Sequence, residues 1–180
     1  MADTGWTLGS TATAISGSWW SFSNPSNVLT DNTSAASLYM DSRDESEALQ
    51  VSNFAWGTAI PSGATINGVE VRVRRYCSST GDHEDLSMKL LVAGTASGSN
   101  YAAGVSYPTS AATQDYGGAA DLWGLSLTEA QVNASNFGMA LTVIDGNAGS
   151  DTSYYEAVWM KIHFTAAASG PTVREHIQYP

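Results

Sequence analysis

Cysteine is almost missing: Cys77 stands alone in 180 residues, which rules out an internal disulfide framework and any cysteine-rich zinc site. Lysine is scarce too, with Lys89 and Lys161 the only two. Seven Lys and Arg face 17 Asp and Glu, and a net charge of −10 opposes phosphate backbones and anionic bilayers, so neither nucleic acid nor membrane is an expected partner. No uninterrupted apolar run approaches the roughly 18 residues that cross a bilayer, so no transmembrane helix is expected. The start, Met1-Ala2-Asp3-Thr4-Gly5-Trp6, has no basic stretch followed by an apolar one, and the expectation is synthesis in a cytosol. Charged residues make up 13%, against roughly 25% in an ordinary globular chain.

What remains is apolar and turn-forming. Apolar residues are 43% and glycine contributes 17 positions, with serine and threonine abundant, a composition that suits a β-rich globular fold. At about 150 residues per domain, the length allows one domain with tails. Val69, Val71 and Val73 alternate with Glu70, Arg72 and Arg74, the period of a strand with one wet face. Leu86, Met88, Leu90 and Val92 repeat that period, as do Phe137, Met139, Leu141 and Val143, and then Val158, Met160, Ile162 and Phe164. Residues 48–54 form a fifth candidate strand, and less regular strands are expected within 11–40. Ile60-Pro61-Ser62-Gly63-Ala64 should turn the chain into the valine strand.

One helical signal appears. Thr128 followed three residues later by Gln131 is a capping-box pattern, and Asn133 and Asn136 stop the helix within about two turns. Trp123-Gly124 just before it reads as a buried staple on that helix. Long intervals such as 94–127 fit crossovers between two sheets better than hairpins. The expected fold is all-β: an antiparallel jelly-roll-like β-sandwich with one short helix and extended N- and C-terminal arms. Residues 1–165 form the sandwich, with 1–15 as the N-terminal arm. Residues 166–180 are a small-residue hinge and a docking tail whose Val173, Ile177 and Tyr179 are the candidate partner-binding side chains.

Chemistry-bearing clusters are few. Asp82-His83-Glu84-Asp85 is the densest set of metal-ligand types, but strand neighbours point to opposite faces, so all four converge only in a loop. The preferred reading is a solvated hairpin tip. Asp145, Asn147 and Asp151 offer hard oxygens without the bidentate Glu of a calcium loop, and they are the weak metal candidates of a chain for which no metal and no cofactor is expected. The arginines Arg72, Arg74 and Arg75 read as a solvent or interface face beside Glu70. No Gly-x-Ser-x-Gly elbow accompanies the histidines His83, His163 and His176, and His163 falls on the face opposite Val158, Met160 and Ile162. Two carboxylates at glycosidase spacing are neither identified nor excluded by 17 acids, and the expectation is a protein without catalytic activity.

Aromatics are the other resource, with six Trp and eight Tyr. Trp19-Trp20 and Tyr154-Tyr155 each place one ring on either side of a strand, so one of each pair is a candidate glycan or subunit contact.

The order of motifs carries a resemblance. Trp20 with Asn24-Pro25-Ser26-Asn27 and Asp31-Asn32, then Leu49 to Phe54, then Ile60 to Arg74, resembles small virion-associated proteins of tailed bacteriophages. Tyr116-Gly117-Gly118, Asp121-Leu122-Trp123-Gly124, Thr128 to Asn133 and Phe137 to Leu141 continue it, over roughly residues 15–164. The resemblance implies a β-sandwich on the exterior of a virion and brings no catalytic residue with it. The expected function is therefore a non-enzymatic structural component of the virion, a capsid decoration or a tail or fibre accessory. It would act through contacts with other virion proteins and with copies of itself. The alternative is a carbohydrate-binding jelly-roll module that grips host glycan.

Overall fold

The valine-rich segment forms the strand its alternation predicts. In the computed structural model, which describes residues 1–15, 20–41, 44–79, 83–146 and 149–168, it is β6 (Thr65–Cys77). Before it come β1 (Ala2–Asp3), β2 (Thr7–Leu8), β3 (Thr11–Ile15), β4 (Ala36–Met40) and β5 (Ala48–Ser52). After it come β7 (His83–Val92), β8 (Thr95–Ser97), β9 (Ala112–Gly118), helix α1 (Glu129–Val132), β10 (Gly138–Asp145) and β11 (Asp151–Thr165). A 3-10 turn, Pro25–Leu29, follows Asn24, and its Val28 is fully buried.

The strands divide between two antiparallel sheets. One has the order β3-β5-β10-β7-β8. The other is built on the 15-residue β11, which pairs with β6 and through it with β9, while β4, β2 and β1 follow one another along its remaining edge. From β4 to β7, and again from β8 to β11, successive strands change sheet, so their connections are crossovers and the fold is a jelly-roll-like sandwich. Residues 1–15, expected as an N-terminal arm, are woven into both sheets through β1, β2 and β3.

The core lies between the sheets. Val69, Val71, Val73, Val158, Met160 and Ile162 on one side meet Leu49, Val51, Met88, Leu90, Met139 and Leu141 on the other, all with no exposure. Each such side chain contributes about 1.5–3 kcal/mol through burial. The four alternating segments of the sequence thus belong two to each sheet.

The pairing carries three register shifts, two in the β11–β6 pair (the second between His163 and Phe164) and one in β10–β7, and they change which residues face inward. In the β10–β7 pair, Thr142 faces Ser87 and Val143 faces Asp85, leaving Leu86 as the extra residue. Leu86 was expected in the core with Met88; it is only half-buried, and the slip turns His83 and Asp85 inward. The expected solvated tip is therefore corrected: His83 and Asp85 are core residues of β7, and Asp82 lies outside the described residues. In the β11–β6 pair the register shifts between Tyr155 and Ala157, so Glu156 is the insert.

Helix α1 carries both bonds of the capping box that Thr128 and Gln131 predict. The staple is different. Trp123 is fully buried, but its Nε1–H donates to the Val69 carbonyl at 2.9 Å, under Gly117, whose φ of +73° and contact with the indole leave no room for a side chain. Trp56 reaches the helix instead, donating from Nε1 to the Val132 carbonyl at 3.2 Å.

Candidate functional site

Alternation along β6 sends Glu70, Arg72, Arg74 and Tyr76 to the outer face of the larger sheet. Trp159 of β11 lies directly across from Arg72 on one side, and Asp115 of β9 on the other. Arg72 forks onto Asp115 with both contacts at 2.6 Å, and that carboxylate holds the guanidinium more firmly protonated than usual. Arg74 donates to Glu156 at 2.6 Å, to Asp31 at 2.7 Å and to the Asn32 carbonyl at 2.8 Å. Burial works against its charge, but Asp31 and Glu156 outweigh that and raise its pKa. The bulge at Glu156 is what brings that carboxylate to Arg74.

The N-terminal segment supplies a second indole. Thr4 is buried and exchanges hydrogen bonds with Ile162: its N–H donates to the Ile162 carbonyl at 3.0 Å, and the Ile162 N–H donates to its hydroxyl at 3.0 Å. Between this anchor and β2, Trp6 lies over the Arg72 guanidinium at 4.2 Å and near the Lys161 ammonium at 4.5 Å. The Arg74 guanidinium sits 5.5 Å from the Trp159 ring. Trp6, Asp31, Arg72, Arg74, Thr113 and Trp159 enclose an open groove of about 280 Å³. That is near the roughly 300 Å³ lower end for ligand pockets, enough for one ring-sized ligand.

The residues singled out from the sequence separate. Tyr154 faces outward and stacks on Tyr76, centroids 4.7 Å apart and planes at 17°, beyond Glu156 on the same face. Tyr155 is corrected: it has no exposure, because strand alternation turns it into the core, and it contacts neither glycan nor a second subunit. Trp20 is partly buried and meets Tyr39 edge-on at 6.0 Å. Trp19, Val173, Ile177, Tyr179, His176 and Asn147 lie outside the described residues. Asp145 is 1% exposed, and Asp151 Oδ1 accepts hydrogen bonds from Ser78 at 3.0 Å and Ser79 at 2.5 Å. Among the described residues no three His, Cys, Asp or Glu gather as a metal site.

Arg75 is a second correction. The reading of three arginines on one face fails because Arg75 follows Arg74 directly and so points inward, where it is 2% exposed. It bonds Asp85 at 3.1 Å and also contacts the Tyr116 hydroxyl. Asp85 accepts from the hydroxyls of Tyr107 at 2.7 Å and Tyr116 at 2.8 Å. His83 Nδ1 lies 2.9 Å from the Ser153 hydroxyl, which is 3.1 Å from that of Tyr155. This network is too buried to meet a ligand and ties the two sheets together.

Sequence reasoning missed Trp6, Trp159, Arg72 and Asp115 as a unit. Trp159 had a readable signal, since it sits between inward Val158 and Met160. Trp6 had none, because β2 is only two residues long.

No family model matches the chain, and no curated protein does. Among solved structures it is similar to a CBM4 carbohydrate-binding module at 12% identity and TM-score 0.46, over 87% of this chain and 93% of the other. It is also similar to TmCBM61 in complex with beta-1,4-galactotriose at 12% identity and TM-score 0.39, over 87% of each chain. These likenesses assign no function, which has to be argued from the groove itself.

Proposed function

We propose that the protein is a non-enzymatic binding module that holds a saccharide ring in the groove between Trp6 and Trp159. The observation that carries this reading is the pairing of two indoles with a row of arginine–carboxylate forks on one open face. Indoles cover the apolar faces of sugar rings, and the carboxylates of the forks offer acceptors to their hydroxyls. Arg72, Arg74, Thr113 and Trp159, four of its six lining residues, sit on paired strands, so that side of the groove is formed before its ligand arrives, which lowers the ordering cost of binding.

Its setting is part of the proposal. The resemblance of its motif order to tailed-phage virion proteins supports a setting on the exterior of a virion, where gripping host glycan would serve adhesion. Trp159→Ala should abolish saccharide binding in a glycan array and by calorimetry while leaving the melting temperature within a few degrees. A blank array, together with binding of the purified protein to particles that lack it, would instead support the purely structural accessory role.

A further inference from the structure

We infer that the groove selects an uncharged saccharide ring and discriminates against uronic and sialic acids; this rests on the saccharide reading above. Two arginines in a groove would ordinarily suggest an anion site. Here each guanidinium is already forked onto protein oxygens: Arg72 uses Nε and Nη2 on the two oxygens of Asp115, and Arg74 uses Nε, Nη1 and Nη2 on Glu156, Asp31 and the Asn32 carbonyl. Two cations therefore face three carboxylates.

What the groove offers a newcomer is carboxylate acceptors beside the guanidinium N–H groups that remain. Asp31 lines it and Asp115 flanks it through Arg72; their side chains are 56% and 47% exposed, and each carboxylate keeps lone pairs that its arginine does not use. The Thr113 hydroxyl adds a group that both donates and accepts. Neutral hydroxyls donate to such oxygens without penalty. A ligand carboxylate meets like charge at close range, and the guanidinium edges left open to it belong to arginines whose charge Asp115, Asp31 and Glu156 already balance; the chain's net charge of −10 adds repulsion at longer range.

The test is calorimetric titration of the full-length protein with matched pairs: galactose and galacturonic acid, glucose and glucuronic acid, lactose and sialyl-lactose. For whichever pair binds, the neutral member should bind at least about tenfold more tightly at low salt, a difference of about 1.4 kcal/mol, and added salt should narrow the gap. Asp115→Asn, nearly isosteric on the exposed strand β9, should shrink that ratio severalfold with an unchanged melting curve. Equal or tighter binding of the acid, lost in Trp159→Ala, would overturn the selectivity while keeping the saccharide reading. A ratio unmoved by Asp115→Asn would overturn the assignment to these carboxylates. Binding of no pair member would overturn the saccharide reading and the selectivity with it.

Discussion

Arg75 on β6 and Asp85 on β7 meet inside the sandwich, Nη2 3.1 Å from Oδ2, so one ion pair joins the two sheets. The side chains are 3% and 0% exposed, and Asp85 also accepts from two tyrosine hydroxyls and from the Ala103 N–H at 3.2 Å. Removing one partner strands the other charge in the core. Asp85→Ala should cost about 3–5 kcal/mol in urea denaturation, whereas Asp115→Ala, which breaks an exposed pair, should cost less than about 1 kcal/mol. Equal losses would show that Asp85 is not the tie between the sheets.

Alkaline stability should report on the same cluster. Burial raises the pKa of Tyr107, Tyr116 and Tyr155 above the ordinary value of 10.0. In the unfolded chain these tyrosines lose their protons above about pH 10, while the folded protein keeps them. Their contribution is therefore fully present below pH 10 and is lost as pH rises beyond it, by about 1.4 kcal/mol per pH unit for each tyrosine. Tyrosinate absorbance should rise together with loss of β-sheet circular dichroism, and Tyr155→Phe should flatten the slope. Stability that stays level to strongly alkaline pH would contradict this.

Val71 has no exposure and faces the opposite sheet, so Val71→Asp should bury an unpaired carboxylate and cost on the order of 4 kcal/mol or more. Its neighbour Glu70 is not the idle surface acid that alternation suggests. Glu70 pairs with Lys161 at 3.1 Å and with His163 at 2.5 Å, and Glu70→Gln should lower stability by roughly 0.5–1 kcal/mol. A soluble, cooperatively melting Val71→Asp protein would mean the face is reversed.

The sandwich should fold without the C-terminal tail. Strand β11 ends at Thr165 and residues 166–168 are exposed, while Val173, Ile177 and Tyr179 lie outside the described residues. Truncation after Ala168 should leave the melting temperature nearly unchanged. If the tail docks on a partner, the same truncation should reduce incorporation into virions or the fraction of oligomer. Wild-type occupancy without it would remove the docking role.

Five strands were legible in the sequence because burial on one face imposes a period of two, and the valine, methionine and Val158–Phe164 segments display it openly. Strand β9 was not, since Ala112 to Gly118 is mostly exposed and bears two glycines, leaving little apolar contrast to read. The exchange of Leu86 for Asp85 on the inner face was hidden for another reason. A bulge adds one residue to one strand of a pair, and nothing in β7 alone says where its partner stops matching it.

The groove divides along the same line. Outward placement of Arg72, Arg74 and Trp159 was determined by their alternation with buried neighbours, a local property of each strand. Which carboxylate each arginine meets was decided only by the tertiary structure: Asp115 arrives 43 residues later on β9, Glu156 is inserted by a bulge 82 residues away, and Trp6 is carried in by the N-terminal strands. Periodicity reports the environment of one face of one segment. Partners that distant in sequence are chosen by sheet order and register, and those follow from how the whole core packs.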